Sequence, residues 1–271
     1  MWGLDATVKR RLQMYLGRGI TARLGNAYRA IEPYGLLISS RSVRSFALAL
    51  GLELDKSEVV SIVREIGKVR KGITGRYCNP IDDQIALYLS RFAAAQFCPD
   101  PVAVHIEIGT LFGGSLIATL FAIGRAERKH GVVAIDPLTG YYGQSSDPNT
   151  GVEVTQETVE HNVVRLGFPL DRVNIFPYRS DDSVPLANIG QMTIASLFID
   201  GDHSYDGIKA DWENYVPHVI PSGLVVIDNY EDPSWPEVTQ YVVREVRNDP
   251  RVVWLGQLGS TVVFKRIATS P

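Results

Sequence analysis

The chain has 271 residues, of which 45% are hydrophobic and 21% are charged, and its formal net charge is −3. This composition is typical of a globular protein and does not indicate the broad basic surface that binds polyanions, so no nucleic-acid partner is expected. Two cysteines are too few for a disulfide scaffold or a cysteine-based zinc cluster.

Membrane and export signals are not predicted. The sequence contains no apolar run of about 18 residues, so we expect no membrane-spanning helix. The first eleven residues carry charge but no apolar core followed by a cleavage site, so a signal peptide is not expected either. These patterns favour a cytoplasmic protein.

Residues 1–98 have the pattern of amphipathic helices separated by glycines, and we interpret them as a helical N-terminal extension. Helical runs are predicted at residues 8–16, 39–50, 55–63 and 79–97. Either Asp55 or Ser57 can cap the third run. The frequent arginines and lysines here indicate a solvated helix face, or alternatively a subunit contact or a lid over a site.

From residue 99 to residue 271, strand and helix patterns alternate and end in a hairpin. Strands are predicted near residues 104–108, 132–136, 173–178, 195–200, 223–228, 252–256 and 261–265. The alternation predicts a doubly wound, mostly parallel, Rossmann-like α/β sheet of seven strands with a C-terminal antiparallel hairpin. Ligands of such a sheet lie outside the carboxyl ends of the strands.

The first strand ends in a glycine-rich turn that leads into a helix. Gly109, Gly113 and Gly114 allow positive φ and a close approach of a ligand to the main chain. The turn lacks the second glycine of the dinucleotide fingerprint, and Glu107 would repel a diphosphate. Because Glu107 would attract an ammonium group, the turn favours a cationic amino-acid nucleoside over NAD. The alternative is an ordinary turn between a strand and a helix.

Further polar residues follow the second and third strands. An acid at the end of the second strand, here Asp136, typically binds ribose hydroxyls. The polar segment 137–151 is long enough to be a lid or a substrate wall. Ser180 and Asp181 follow the third strand at the same predicted edge of the sheet.

The fourth and fifth strands end in residues suited to a hard metal ion. Asp200 leaves one strand, and Asp228 and Asn229 leave the next, so their oxygens can face one point. Such ligands suit Mg²⁺. His203 lies close enough in sequence to act as a general base. Alternatively, the acids make turns and caps and His203 only binds a backbone carbonyl.

The other four histidines lack the spacing of metal ligands. We expect His105, inside the first strand, to be a packed core residue. His130, His161 and His218 are expected at the surface or in turns.

These motifs together resemble those of class I S-adenosylmethionine-dependent methyltransferases. The resemblance covers residues 102–266 and rests on Glu107-Ile-Gly-Thr with Gly113-Gly-Ser, Ala134-Ile-Asp-Pro, Phe198-Ile-Asp-Gly-Asp-His-Ser-Tyr, and Val226-Ile-Asp-Asn-Tyr. The last two are the most specific and resemble the metal-dependent O-methyltransferase branch, which includes catechol and caffeoyl-CoA enzymes and sugar-modifying relatives of antibiotic pathways.

The resemblance implies residue roles as well as a fold. S-adenosylmethionine would be held by Glu107, Gly109, Thr110, Gly113, Ser115, Asp136, Ser180, Asp181 and Asp200. The divalent-cation ligands would be Asp200, Asp228 and Asn229. His203 departs from the family pattern, because the catechol enzymes carry a lysine there, and histidine can serve as the base.

The expected reaction is methyl transfer to a hydroxyl of a small molecule or sugar, for which a vicinal diol would fit a chelating ion. In this branch, N-terminal segments often cover the substrate and form homodimers. Three alternatives stay open: a metal-independent methyltransferase of the same fold, a nucleotide-binding oxidoreductase, and a non-catalytic binding module.

Overall fold

The computed structural model describes residues 40–141 and 143–268, which form one seven-stranded sheet with helices packed against it. The helices are α1 (Ser40–Ala49), α2 (Lys56–Gly72), α3 (Ile81–Phe97), α4 (Gly114–Arg125), α5 (Gln156–Arg165), α6 (Ser183–Ile189), α7 (Tyr205–Tyr215) and α8 (Pro236–Arg244). The strands are β1 (Val104–Ile108), β2 (Gly131–Ile135), β3 (Val173–Phe176), β4 (Ile194–Ile199), β5 (Val219–Ile227), β6 (Val252–Leu258) and β7 (Thr261–Arg266).

The sheet has the predicted topology, with strand order β3-β2-β1-β4-β5-β7-β6. Strands β1 to β5 pair in parallel, and β7 runs antiparallel between β5 and β6. The strand order reverses between β1 and β4, since β2 and β3 lie on one side of β1 whereas β4 and β5 lie on the other. Such folds bind ligands at this point. The predicted Rossmann-like fold is therefore confirmed.

The buried strand residues explain why these segments are apolar runs. All residues of β4 are buried, as are the last five of β5, because helices cover both faces of the central strands. Helix α6 was not predicted, and β5 begins four residues earlier than its predicted start at residue 223. Among the described residues, no helix combines the length and apolarity needed to cross a bilayer.

The helical run predicted at residues 8–16 lies outside the described residues, whereas the other three runs correspond to α1, α2 and α3. Asp55, and not Ser57, is the N-cap of α2. Its carboxylate accepts from the Glu58 backbone N–H at 2.9 Å, and the Glu58 carboxylate accepts from the Asp55 backbone N–H at 2.8 Å. This capping box explains why α2 begins there. The division of the chain at residue 98 and the lid or dimer role of the extension stay predictions.

Helix α3 is joined to the sheet through the buried guanidinium of Arg91. This group donates to the Ile106 carbonyl in β1 at 2.6 Å and to the Ser196 hydroxyl in β4. Ser196 also lies 2.7 Å from Nδ1 of His105. Burial lowers the pKa of Arg91 to about 10. A charge this deep is tolerated because its hydrogen bonds compensate part of the lost hydration.

His105 is a core residue, as predicted, but His130 is not at the surface. His130 is 1% exposed, and its Nδ1 lies 3.1 Å from Nε2 of His105. The prediction of a surface position was wrong for His130 because its ring, in the loop before β2, stacks on the core residue His105, which a polar sequence pattern does not reveal. His161 and His218 are exposed, as predicted.

Candidate active site

Backbone hydrogen bonds just beyond the strands align the carboxyl ends of the three central strands β1, β4 and β5. The Asp200 N–H donates to the Ile108 carbonyl at 2.9 Å, and the Asp228 N–H donates to the Ile199 carbonyl at 3.2 Å. The side chains that follow β1, β4 and β5 therefore begin at one edge of the sheet.

The turn after β1 depends on glycine for two different reasons. Gly109 has φ +84°, and a Cβ there would collide with the Asp200 carbonyl oxygen. Gly113 has φ +78° and is the N-cap of α4. A Cβ on Gly114 would lie 2.7 Å from Cγ of Tyr77. The turn is thus closely packed against β4 on one side and against the segment before α3 on the other.

Glu107 is fully buried at the end of β1, and its carboxylate is only partly satisfied. Its Oε1 accepts from the Thr110 hydroxyl and from the Ser115 hydroxyl, the latter at 3.1 Å. Its Oε2 is buried and has no hydrogen-bond partner among the described residues. Burial raises the pKa of Glu107 to about 7. A buried acceptor without a donor is costly, so this atom is suited to a ligand that brings one.

Asp136 follows β2 and also stabilises the glycine-rich turn that follows the neighbouring strand β1. Its Oδ2 accepts from the backbone N–H groups of Thr110 at 2.8 Å and Leu111 at 3.0 Å. Its Oδ1 accepts from the Leu138 N–H at 2.9 Å. The side chain is half-buried, and each oxygen keeps lone-pair capacity for a ligand hydroxyl.

Ser180 and Asp181 lie at the outer rim of this edge. The Ser180 carbonyl accepts from the Tyr215 hydroxyl at 2.7 Å, which fixes the loop to α7. Asp181 is exposed and pairs with Arg179 at 3.0 Å. The structure therefore places the Ser180 backbone firmly, whereas the Asp181 side chain faces solvent.

Asp200 and Asp228 converge, and a residue that the sequence did not single out lies between them. The Asn79 side-chain amide nitrogen donates to Asp200 Oδ2 at 3.2 Å and to Asp228 Oδ2 at 2.7 Å. Both carboxylates thus border one point, as predicted for a shared site. Asn79 comes from the loop before α3, 121 residues from Asp200 in the chain.

Asp228 is the more buried of the two acids. Its Oδ1 accepts from the Thr261 hydroxyl at 2.5 Å. Burial raises the pKa of Asp228 well above its usual value, and the charges of Asp200 and Asp83 add to the shift. An uncompensated negative charge at this depth is unfavourable, so the position is suited to a cationic partner.

The set of oxygens at this point fits a hard dication. Asn229 has φ +60° and a buried Oδ1 beside the His203 ring. Two carboxylates and an amide oxygen are ligands that Mg²⁺ prefers. Over residues 40–141 and 143–268, no cluster of three or more acidic, histidine or cysteine side chains is arranged to hold a metal, so amide oxygen and outside ligands would complete the shell.

His203 is fixed against this acidic pair. Its Nε2 lies 3.2 Å from Asp200 Oδ1, and its ring stacks on Trp235 with centroids 4.4 Å apart. Burial alone would lower the pKa of His203, but hydrogen bonding and the charge of Asp200 raise it above its usual value. In its neutral form, an imidazole fixed in this position is able to accept a proton.

Residues 73–79, here called the strap, cross the glycine-rich turn. The strap contributes Tyr77 and Asn79 to the site. Sequence patterns did not identify either residue, because the strap follows α2 as a short loop without periodicity, and the contacts of Tyr77 with Gly114 and of Asn79 with the two acids are distant in the chain. The only local signal was Pro80, which marks a helix start.

Comparison with known proteins gives a family match over the central part of the chain. Residues 106–230 match the family model Methyltransf_24, described as a methyltransferase domain. A Streptomyces olivaceus 8-demethyl-8-(2,3-dimethoxy-alpha-L-rhamnosyl)-tetracenomycin-C 4′-O-methyltransferase is 29% identical over 200 residues, covering 66% of this chain and 73% of that protein. An uncharacterized protein of Acanthamoeba polyphaga mimivirus is 27% identical over 147 residues, covering 54% of this chain and 59% of that protein.

Solved structures share the fold. The O-methyltransferase NovP is 21% identical with a TM-score of 0.55, covering 82% of this chain and 100% of that one. CalS11, a TDP-rhamnose 3′-O-methyltransferase of calicheamicin biosynthesis, is 17% identical with a TM-score of 0.50, covering 79% of this chain and 96% of that one. At these identities the likeness concerns the fold alone.

Proposed function

We propose that the protein, whose residues 106–230 match a methyltransferase-domain model, transfers a methyl group from S-adenosylmethionine to a hydroxyl of a sugar or a sugar-bearing small molecule. The main observation in support of this proposal is that the buried Oε2 of Glu107, at the end of β1, has no hydrogen-bond donor among the described residues. It lies at the same strand edge as the paired acids Asp200 and Asp228. The tetracenomycin relative, which methylates a sugar hydroxyl according to its name, supports the acceptor class.

Donor binding follows from the turn. Glu107 would take the ammonium of the methionine part, because Thr110 and Ser115 already orient its other oxygen. Asp136 would accept from the ribose hydroxyls, since backbone donors fix its carboxylate at the crevice. Gly109, with φ +84°, would give the turn the shape that brings its main chain close to the sulfonium.

Acceptor binding follows from the acidic pair. Asp200, Asp228 and Asn229 would hold Mg²⁺ or another divalent cation. When bound, such a cation lowers the pKa of a neighbouring hydroxyl and orients it. Two adjacent hydroxyls of a vicinal diol would fit this arrangement.

His203 would act as the general base. Its ring is held by Asp200 and Trp235, so its position does not depend on the acceptor. It would accept the proton of the reacting hydroxyl while the oxygen attacks the methyl carbon in line with the departing sulfur. Positioning of oxygen and carbon supplies much of the acceleration in reactions of this kind.

One observation favours a second candidate, a metal-independent methyltransferase. The Asn79 amide nitrogen already lies between the two carboxylates as a hydrogen-bond donor. In that case the acids would serve to hold the strap, and methyl transfer would not depend on a divalent ion.

The test begins with the purified full chain and has three parts. Calorimetric titration with S-adenosylhomocysteine should give binding, and a flat titration would contradict the donor assignment. Transfer of labelled methyl from S-adenosylmethionine to a panel of glycosides, free sugars and catechols should favour sugar acceptors. Activity should be lost in chelator and restored by Mg²⁺.

An Asp228→Ala variant separates the two candidates. It should remove the response of activity to Mg²⁺, whereas the metal-independent candidate expects full activity in chelator for the wild type. Asp232→Ala, a change just beyond β5 and outside the acidic pair, is the matched control.

A further inference from the structure

The strap holds a tyrosine hydroxyl inside the site without a partner. Tyr77 is 8% exposed, and its hydroxyl oxygen is buried with no hydrogen-bond partner within residues 40–141 and 143–268. Buried tyrosine hydroxyls usually find a partner, so a lone one requires an explanation.

The Tyr77 ring is fixed by packing. It belongs to the apolar cluster that includes Phe112 and Leu116, and it lies directly on Gly114 at the start of α4. Any side chain at position 114 would push the ring away, because even a Cβ would be 2.7 Å from Cγ of Tyr77. The ring therefore covers the first turn of the helix that borders the proposed donor pocket.

The strap is anchored on both sides of Tyr77. Before it, the Thr74 N–H donates to Asn162 Oδ1 at 2.7 Å, and the Asn162 amide donates back to the Thr74 carbonyl at 2.9 Å. Arg76 pairs with the buried Asp147 at 2.8 Å. After it, Asn79 bridges the two acids. The Tyr77 hydroxyl is thus held in place before any ligand arrives.

The Tyr77 ring lies on Gly114, and the next residue, Ser115, donates to Glu107 Oε1 at 3.1 Å, so the strap and Glu107 border the same turn. Burial raises the pKa of Tyr77 well above its usual value, and the charges of Glu107, Asp228 and Asp200 add to the rise. Glu107 has the largest effect among these acids, and its own Oε2 also lacks a donor. Two buried oxygens without hydrogen-bond partners among the described residues therefore belong to side chains that border the start of α4.

Building on the proposed function, we propose that Tyr77 is a binding residue for the methyl donor, and that its hydroxyl oxygen and Glu107 Oε2 together accept hydrogen bonds from the donor's ammonium group. An ammonium carries three N–H donors and a positive charge, so it satisfies both oxygens and matches the local field. Through the strap, the N-terminal part of the described chain would thus contribute to binding of the amino-acid end of the ligand.

The test compares two ligands that differ in the amino-acid part. S-adenosylhomocysteine carries the ammonium, whereas 5′-methylthioadenosine keeps the adenosine and thioether without it. Calorimetry on the full chain would measure both ligands with the wild type, with Tyr77→Phe, and with Tyr241→Phe as a control at a buried tyrosine of α8.

The Tyr77→Phe variant keeps the ring on Gly114, so the fold is preserved. We expect it to bind S-adenosylhomocysteine roughly 10- to 100-fold more weakly, the loss typical of a hydrogen bond to a charged group. Its affinity for 5′-methylthioadenosine should equal that of the wild type, and Tyr241→Phe should leave both affinities unchanged.

Each other outcome overturns the inference in a distinguishable way. Equal affinity of Tyr77→Phe and wild type for S-adenosylhomocysteine removes Tyr77 from donor binding while leaving the proposed function intact. A parallel loss for both ligands shows that the hydroxyl supports the pocket as a whole and not the ammonium. If the wild type binds neither ligand, the proposed function fails, and this inference fails with it.

Discussion

The side-chain amide of Asn79 donates a 2.7 Å hydrogen bond to Asp228, where the proposed divalent cation would be bound. The same nitrogen lies 3.2 Å from Asp200, so one neutral donor partly offsets the repulsion of two acids. A dication between these oxygens would have to displace the donor. The strap and the proposed cation would therefore compete for the same oxygens.

Removing this donor should make stability depend on the cation. In Asn79→Ala the two carboxylates lose their shared partner, so the free energy of unfolding without divalent ions should fall by roughly 1–3 kcal/mol. Addition of Mg²⁺ should raise the melting temperature of this variant more than that of the wild type. Thermal melting in chelator and in Mg²⁺ measures both values.

Asn188→Ala is the matched control for that experiment, because Asn188 is exposed on α6 and far in sequence from the strap. It should respond to Mg²⁺ as the wild type does. An equal Mg²⁺ response in Asn79→Ala and Asn188→Ala would refute competition at this site.

Glu107 predicts a pH dependence of donor binding. Burial raises its pKa to about 7, so in the ligand-free protein it is largely protonated below that pH. An ammonium ligand favours the carboxylate, and binding below about pH 7 must therefore release a proton. The affinity for S-adenosylhomocysteine should rise with pH by a factor approaching tenfold per unit below the pKa and level off above it.

Calorimetry in buffers of different ionisation enthalpy measures the released proton directly. Glu107→Gln carries no titrating group, so its weaker binding should not change with pH over the same range. An equally steep pH dependence in Glu107→Gln would show that another group is responsible.

The buried histidine pair predicts acid sensitivity of the fold. Burial lowers the pKa of His105 well below its usual value, and the charges of Arg91 and His130 add to this effect. The folded chain keeps His105 neutral while the unfolded chain takes up a proton below about pH 6.5. The stability is thus fully present above that pH and falls as the pH decreases towards the folded-state pKa.

Urea unfolding at about pH 7.5 and about pH 5.5 would measure the difference. The decrease should be smaller in His105→Gln, which has no ring to protonate. The exposed His218 is the control, and His218→Gln should keep the full pH dependence. A decrease that His105→Gln does not alter would assign the acid sensitivity elsewhere.

His203 should affect turnover without affecting donor binding. If its ring accepts the hydroxyl proton, His203→Ala should reduce kcat by roughly 10²–10⁴-fold with the best acceptor of the panel. The affinity for S-adenosylhomocysteine should stay at the wild-type value, because the proposed role of His203 is towards the acceptor hydroxyl and not towards the donor. If His203→Ala kept the wild-type turnover, the role of His203 would be limited to its structural contact with Trp235.

The sequence predicted the parts of the site that depend on strand order. Asp200 and Asp228 were placed together because residues that end adjacent parallel strands must share an edge, and the sheet has that order. Glu107 and the glycine-rich turn followed from the change of an apolar run into a helix pattern. Each of these inferences used only short-range periodicity and one topological rule.

The parts that could not be predicted come from contacts across long stretches of chain. Asn79 and Tyr77 follow α2 in a segment with no periodicity, and their partners are more than a hundred residues away or lie across α4. His130 looked exposed because a polar residue in a loop usually is, whereas here it pairs with His105. Tertiary packing determines these positions, and a pattern of residues along the sequence does not reveal it.

The close approach of Gly109 to the Asp200 carbonyl limits how this enzyme can diverge. Main chain touches main chain at that junction, and even a methyl group at position 109 would separate the proposed donor pocket from the acidic pair. Variants that take new acceptors must therefore keep the junction unaltered. Libraries for redirecting specificity should be restricted to the 137–151 loop.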